Sequence, residues 1–292
     1  MTHDITAIRP AAEVDLQEYV QTLNAAYADY FVPIYLPPQS FRNLVERESI
    51  RLEASQAALY GGEVVGTGLL GVRGRRGWIG GLGVVPAHRR CGLGRRLMEA
   101  LIEAGRALGL ESVQIEVITR NAPAKALYDA LGFETRRELR VLTCAEPSAH
   151  TPPERLAPGL TFSVEKPARL LPALERLAAV PRPWQRELAA QEIILPELKA
   201  VAARGEGSEL VGVCLYRDDG FRRDVTDLAA DEPRTGRALA AYLLWQSPGH
   251  AVSYLNVPQD DPLLPELLQL GFQTSLSQYE MFLPLGGERP AR

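Results

Sequence analysis

Apolar positions recur along the chain with two different periods, and these periods predict its secondary structure. Residues 93–108 carry an apolar side chain every three or four positions, the spacing of one buried helical face. Residues 112–118 instead alternate between apolar and more polar positions, which is typical of a half-buried strand. The chain is therefore expected to mix helices with strands.

The first half of the chain reads as a strand, two helices, three antiparallel strands, and then a helix, a strand, a helix and a final strand. The predicted bounds are a strand at 3–9, helices at 13–30 and 39–49, strands at 56–60, 63–72 and 78–85, the helix at 93–108, a strand at 112–118, a helix at 122–131 and a strand from 133 to about Cys144. Asn121 is a suitable N-cap for the last helix. This order predicts an α/β fold, an α+β mixed sheet with helices packed on it.

The same order of elements returns in the second half of the chain, from residue 160 to about residue 283. Gly271-Phe272 repeats Gly132-Phe133 near the end of each half. Residues 145–160 between the halves are rich in proline, which predicts a linker. We expect one domain at 1–145, a linker at 146–159, a second domain at 160–285 and a flexible tail at 286–292.

Composition narrows the classes of function. A chain of 292 residues can hold two domains with hydrophobic cores, and its net charge of −4 disfavours nucleic acid as a partner. No apolar run reaches the roughly 18 residues of a membrane span, and no signal sequence is evident, so we expect a cytoplasmic protein. Three cysteines and four scattered histidines argue against a disulfide framework or a metal site.

The candidate chemistry lies where the strand that ends before Pro86 leads through a turn with Gly92 and Gly94 into the helix at 93–108. The first N–H groups of a helix lack intrahelical partners and carry partial positive charge, so this end can bind an anion. Between residues 73 and 96 there are seven arginines and no acidic residue, which favours a polyanion.

Two nucleotide motifs fit this turn poorly. A P-loop needs Gly-Lys-Ser/Thr at the helix start, where this chain has Gly94-Arg95-Arg96, and a dinucleotide fingerprint needs a third glycine where Leu97 stands.

The turn Arg89-Arg90-Cys91-Gly92-Leu93-Gly94 resembles the pyrophosphate loop R/Q-x-x-G-x-G/A of the GNAT acyltransferase superfamily. Leu82-Gly83-Val84, and the run from Asn121 to Tyr128 before Leu131-Gly132-Phe133, stand at the spacings of that family's cofactor strand and last helix. The resemblance implies an acetyl-CoA-dependent N-acetyltransferase with two tandem GNAT-like domains, an arrangement also seen in bacterial enzymes.

The resemblance also implies roles for single residues. It assigns Tyr128 as the proton donor to the departing thiolate, although packing is the alternative role for a tyrosine on such a helix. Glu116 stands where some members that acetylate protein N-terminal amines carry a glutamate base, with His88 and Tyr35 as further candidates for the base. The residues expected to bind coenzyme A are Leu82, Gly83, Val84, Arg89, Arg90, Cys91, Gly92, Leu93, Gly94, Arg95 and Asn121.

The acceptor is less well defined. Residues 29–38 form a proline-broken aromatic loop, either a lid on the core or a wall of an acceptor pocket, with Tyr27, Tyr30 and Tyr35 as candidates. A small amine, an antibiotic, an amino acid and a peptide N-terminus all remain open as acceptors. The sequence also leaves open a homodimer.

The second half lacks the residues that the resemblance implies for coenzyme binding. Where the first half has Arg89 to Gly94, the second has Asp231 to Gly236, and its two leading carboxylates would repel a phosphate. We therefore expect a degenerate domain that does not bind acetyl-CoA, serving as a scaffold or holding a separate small-ligand site near Trp184 or Trp245. A non-catalytic acyl-CoA-binding or regulatory module is the competing function for the whole chain.

Overall fold

A computed structural model describes residues 7–32, 34–145 and 152–286 of the chain. These residues belong to two compact units, unit 1 with 1–136 and 280–292 and unit 2 with 137–279. Three predicted features fall partly outside the described residues, namely the first strand at 3–6, the linker at 146–151 and the tail at 287–292. The assignment of a catalytic and a degenerate domain stays a prediction.

Apart from a short helix at Pro153–Leu156, inside the expected linker at 146–159, the elements follow the order that the apolar pattern predicts. Those of the first half are β1 (Ala7–Pro10), α1 (Leu16–Ala26), α2 (Pro38–Arg47), β2 (Gln56–Tyr60), β3 (Glu63–Arg73), β4 (Arg76–Val84), α3 (Leu93–Ala107), β5 (Ser112–Ile118), α4 (Ala122–Ala130) and β6 (Glu134–Cys144). Those of the second half are α5 (Pro153–Leu156), β7 (Thr161–Glu165), α6 (Pro167–Arg176), α7 (Leu188–Ile193), β8 (Lys199–Arg204), β9 (Leu210–Asp218), β10 (Arg222–Ala230), α8 (Pro233–Trp245), β11 (Ala251–Pro258), α9 (Leu264–Gln269) and β12 (Gln273–Pro284). Among the described helices, none is long and apolar enough to cross a membrane.

Unit 1 is built on a mixed sheet. Its strands lie in the order β1-β2-β3-β4-β5, followed by the end of β12. The pairs from β1 to β4 are antiparallel, whereas β4 and β5 are parallel and joined through α3. Helix α3 buries Leu97 and Leu101, as its apolar period predicts, and the α/β class is confirmed.

Strands β4 and β5 separate halfway along their length. They pair from Arg76↔Ser112 to Ile79↔Ile115, but β4 continues to Val84 and β5 to Ile118. An extra residue of β4 at Gly81, whose φ is +56°, shifts its register with β3 at this point, and such a bulge bends a strand. The two strands therefore leave between them a space, the β4–β5 gap, in front of the turn that starts α3.

Unit 2 repeats this arrangement with β7 to β10 antiparallel and β11 parallel to β10. The parallel pairing again ends early, at Val225↔Tyr254. Beyond β11 lies β6, the last strand of the first half of the sequence, with Val252 opposite Cys144. The last strand of the chain, β12, begins in unit 2 and ends in unit 1, where the Leu285 N–H donates to Glu111 O at 2.7 Å.

Candidate coenzyme and acceptor site

The turn before α3 has the backbone of an anion-binding loop. Gly92 caps α3 with a φ of +81°, and a Cβ added there would meet no atom within 4 Å, so conformation and not crowding favours glycine at this position. Arg90 also has a positive φ, +62°. Because the Arg96 N–H is the first to donate into the helix, to Gly92 O at 3.2 Å, the preceding N–H groups are available for an anion.

The predicted coenzyme side chains around this turn are mostly exposed. Arg90, Cys91 and Arg95 lie at the surface, while Leu93 is buried and anchors the turn to the core. The Cys91 thiol donates to His88 O at 2.9 Å. Two guanidinium groups and a helix N-terminus thus give the turn a positive field.

Strand β4 presents its backbone to the β4–β5 gap. The Val85 N–H donates to Val65 O on β3 at 3.0 Å, and because successive residues of a strand direct these groups to opposite edges, those of Leu82 and Val84 face the gap. The Leu82 carbonyl already accepts a hydrogen bond from the Tyr27 hydroxyl at 3.1 Å, and the Val84 carbonyl accepts one from Arg89 Nε at 2.9 Å.

Gly83 lets helix α1 approach this strand closely. A Cβ added at Gly83 would lie 2.8 Å from the Ala26 Cβ, a distance at which the helix would have to move. The residue between the two gap-facing positions is therefore constrained by packing.

Tyr128 lies on α4 and is buried, with 6% of its surface exposed. Burial raises the pKa of its phenol, and the nearby phenols of Tyr27 and Tyr30 raise it further, so the hydroxyl stays protonated at neutral pH. Asn121 caps α4 by accepting from the Ala124 N–H at 3.3 Å, and its side chain also hydrogen-bonds Tyr30. Two candidate acceptor residues and the candidate proton donor thus form one cluster.

Glu116 lies on β5, one residue beyond the last pairing with β4. Its Oε2 accepts a hydrogen bond from the indole Nε1–H of Trp78 at 2.7 Å. The sequence analysis did not single out Trp78, although the register that sets Trp78 opposite Gln114 brings the indole beside the next side chain on the same face of β5.

The described residues between α1 and α2, 27–32 and 34–37, are called the acceptor loop here. The rings of Tyr27 and Tyr30 are 4.9 Å apart and those of Tyr30 and Phe31 are 5.4 Å apart, while the Arg120 guanidinium lies over Phe31, 5.8 Å from its centroid. Tyr35 stands apart from this cluster and is 77% exposed. Sequence reasoning missed Phe31 and Arg120, because a lone aromatic and a lone arginine carry no motif.

In the corresponding region of unit 2, charged side chains of the unit bind one another. Asp227, fully buried, accepts hydrogen bonds from Arg182 and from Arg186 Nη2, the latter at 2.5 Å. Arg186 also donates to the Tyr254 hydroxyl. Among the residues that the structure describes, no three His, Cys, Asp or Glu side chains are grouped so that they could hold a metal ion.

Comparison with known sequences identifies the family of the first half. Residues 20–133 match the sequence profile of the Acetyltransferase (GNAT) family. A segment of 52 residues is 44% identical to the [Ribosomal protein bS18]-alanine N-acetyltransferase of Escherichia coli (strain K12), covering 18% of this chain and 35% of that protein. The chain therefore spans about a third of the length of the curated relatives it matches.

Comparison with solved structures extends over nearly the whole chain. A GCN5-related N-acetyltransferase from Sphaerobacter thermophilus aligns with a TM-score of 0.72 at 15% identity, over 98% of this chain and 97% of that one. A tandem GNAT protein from the clavulanic acid biosynthesis pathway aligns with a TM-score of 0.66 at 18% identity, over 98% of this chain and 100% of that one. Residues 20–133 therefore form a domain of the GNAT acetyltransferase family, and the fold of the chain is that of GNAT proteins.

Proposed function

We propose that the chain is an acetyl-CoA-dependent N-acetyltransferase that transfers an acetyl group to a primary amine and uses unit 1 for catalysis. The observation that carries this proposal is the β4–β5 gap, which the N–H groups of Leu82 and Val84 face while their carbonyls accept from Tyr27 and Arg89. This strand edge leads within eight residues to the Gly92 turn. An open strand edge and a helix N-terminus in succession suit a ligand that has amide groups followed by a diphosphate.

The residues present fit coenzyme A in two places. The N–H groups from Arg90 to Arg95 would hold the diphosphate, because Gly92 keeps the turn in a left-handed conformation with open space around it. The gap-facing N–H of Leu82 would donate to a pantetheine amide in the manner of an added strand. When bound, acetyl-CoA supplies an activated thioester.

Two groups of the chain serve the transfer itself. The Val84 N–H faces the gap and would donate to the oxygen on which negative charge develops. Tyr128 would donate its proton to the departing thiolate, because its phenol is protonated at neutral pH.

The acceptor amine must lose a proton, since an amine is mostly protonated at neutral pH. We assign this step to Glu116, whose carboxylate is oriented by the Trp78 indole. The name of the Escherichia coli relative, an alanine N-acetyltransferase of a ribosomal protein, favours a peptide N-terminus as the acceptor, and a small-molecule amine is the other acceptor within this proposal.

Unit 2 serves as a scaffold that does not bind coenzyme. Helix α8 starts at Pro233 with Glu232 as its N-cap and Asp231 before it, and carboxylates at this place oppose a phosphate. The buried cluster of Asp227 and its arginines occupies the region where β10 and β11 separate.

The test combines binding with turnover on the full chain. Calorimetry with acetyl-CoA is expected to show one site per chain, and thiol release is expected with at least one member of a panel of small amines and peptides with free N-termini. Binding without release on any acceptor would favour a non-catalytic acyl-CoA-binding or regulatory module. Two sites per chain would contradict the role given to unit 2.

A further inference from the structure

Arg89, the first residue of the predicted pyrophosphate loop, directs its guanidinium away from the turn. It forms a two-fold ion pair with Asp29, with Nη1 2.6 Å from Oδ2 and Nη2 2.7 Å from Oδ1. Nη2 also donates to Ala26 O at 3.0 Å, and Nε donates to Val84 O at 2.9 Å. Even its backbone N–H is engaged, with Pro86 O at 3.3 Å. These contacts occupy the N–H donors that Arg89 would need in order to bind a phosphate.

The partners of this guanidinium belong to three segments with different roles in the proposed function. Asp29 lies in the acceptor loop, Ala26 ends α1 just before that loop, and Val84 ends the strand edge assigned to the pantetheine. Arg89 itself belongs to the turn assigned to the diphosphate. A planar guanidinium can join such groups because its N–H donors have a fixed geometry.

The other contacts of the acceptor loop lie on either side of Asp29. The Tyr27 hydroxyl bonds Leu82 O at 3.1 Å, and the Asn24 side chain holds the far end of the loop through Leu36, accepting from its N–H at 2.8 Å and donating to its carbonyl at 3.0 Å. The Asp29 contact joins the acceptor loop directly to the turn before α3, through Arg89.

We infer that the ion pair of Asp29 with Arg89 positions the acceptor loop against the coenzyme strand, so that Arg89 is a positioning residue and not a phosphate ligand. This inference rests on the proposed function of unit 1. Both side chains are partly exposed, 38% for Arg89 and 55% for Asp29, and an exposed ion pair alone stabilises little. The bidentate geometry and the two carbonyl contacts fix the orientation of the Arg89 guanidinium in this ion pair.

The experiment compares Asp29→Asn, Arg89→Gln and the double variant in the full chain. Hydrogen exchange of residues 27–32 without coenzyme is expected to quicken about tenfold in Asp29→Asn and at least as much in Arg89→Gln, which also loses the contacts with Ala26 O and Val84 O. The double variant is expected to match Arg89→Gln, because the ion pair is already absent there. The Michaelis constant for the acceptor is expected to rise about tenfold in Asp29→Asn while the dissociation constant of acetyl-CoA stays within about threefold. Arg89→Lys keeps the positive charge but lacks the planar, two-fold donor geometry of a guanidinium. Its exchange rate at residues 27–32 should therefore lie between those of the wild type and Arg89→Gln.

The opposite assignment gives a different pattern. In the opposite assignment, Arg89 leaves Asp29 to bind a phosphate of the coenzyme. Asp29→Asn should then tighten acetyl-CoA binding, and Arg89→Gln should weaken it about tenfold. That result, or unchanged exchange of the loop in Asp29→Asn, would overturn the inference. Glu111→Gln, which breaks the exposed ion pair with Arg75 in the same unit, is the control and should change neither quantity.

The exchange measurement uses the chain without coenzyme, so it tests the ion pair whether or not acetyl-CoA binds. A wild-type chain that binds no acetyl-CoA would refute the proposed function, while slow exchange of residues 27–32 that depends on Asp29 would still support the contact. Conversely, an unaffected loop in a chain that binds and transfers acetyl groups would refute the positioning role alone.

Discussion

The indole Nε1–H of Trp78 donates to Oε2 of Glu116 across 2.7 Å, at the place where the pairing of β4 with β5 ends. This hydrogen bond fixes the candidate base between two parallel strands, on elements more rigid than a loop. A donated hydrogen bond also stabilises the ionised form of a carboxylate. The Glu116 carboxylate is thereby oriented where the two strands begin to separate.

Replacing Glu116 by Gln should lower kcat at neutral pH by about a hundredfold, the lower end of what a positioned general base contributes. Trp78→Phe should lower kcat by a smaller factor, because the carboxylate remains but loses the donor that orients it. Steady-state rates between pH 5 and 9 measure both effects. Glu134→Gln, at an exposed position of the same unit, is the control, and an unchanged profile for Glu116→Gln would exclude Glu116 as the base.

Tyr128→Phe tests the proton donor. The change removes one hydroxyl from a buried ring, so kcat should fall about a hundredfold while the dissociation constant of acetyl-CoA and the unfolding midpoint stay nearly constant. Single-turnover thiol release and calorimetry separate these quantities. Tyr242→Phe in unit 2, where the ring stacks on Phe162 at 5.0 Å, should leave kcat unchanged. Full turnover by Tyr128→Phe would leave packing as the role of this tyrosine.

Buried phenols should make the folded chain resist alkaline titration. Burial raises the pKa of Tyr19, Tyr27 and Tyr128 above the ordinary value of 10.0. Since the folded-state pKa exceeds the unfolded one, the stabilisation that these groups contribute is complete below about pH 10 and is lost as the pH rises above that value.

The measurement is phenolate absorbance near pH 11, compared between the folded chain and the chain in denaturant. The folded chain is expected to show less phenolate by at least the signal of these three tyrosines, until circular dichroism reports unfolding. Equal absorbance in both states would contradict the burial of the tyrosine cluster around Tyr128.

The sequence allows the elements to be predicted closely because their periods are local. The strand expected at 112–118 is Ser112–Ile118, and the helix expected to begin at 93 does so. Helix α1 is shorter than the predicted 13–30, because Asp15 caps its start by accepting from the Glu18 N–H and Tyr27 ends it. The apolar pattern continues past this end because Tyr27 turns toward β4.

Relationships between distant residues could not be predicted in this way. Arg89 and Asp29 are 60 positions apart, and Trp78 and Glu116 are 38 apart, so no local pattern connects either pair. The sequence also does not show with which neighbour the last strand of each half pairs in the sheet. The apolar pattern of β6 fits any neighbour, and its pairing with β11 depends on how the two halves fold.

Gly92→Ala should weaken coenzyme binding by about tenfold, because a left-handed alanine costs on the order of 1–2 kcal/mol and the turn would relax away from the binding conformation. Gly109→Ala is a matched control. Gly109 has a φ of +69° with no atom within 4 Å of an added Cβ, against +81° and the same open space for Gly92. It follows the other end of α3, so its replacement should lower the unfolding midpoint and leave acetyl-CoA binding unchanged. Equal affinities of the two variants would contradict the anion site.

Asp227→Asn should destabilise unit 2 strongly. The substitution keeps the shape of the side chain but removes the carboxylate that pairs with Arg182 and Arg186, whose side chains are 8% and 5% exposed. Within the described part of the chain, Arg182 keeps only the exposed Glu175 as a countercharge, at 3.3 Å. Removing one partner of a buried ion pair typically costs about 3–5 kcal/mol. Urea unfolding followed by the fluorescence of Trp184, which is fully buried in this unit, measures the loss.

Glu197→Gln provides the comparison within the same unit. Glu197 pairs with Arg217 at 3.5 Å, and the two side chains are 54% and 37% exposed, so its replacement should cost less than about 1 kcal/mol. If Asp227→Asn costs no more than this control, the buried cluster does not hold the region between β10 and β11. If it destabilises unit 2 while the affinity for acetyl-CoA stays unchanged, the cluster acts as part of a scaffold, as proposed for this unit, because loss of a coenzyme site would have lowered that affinity.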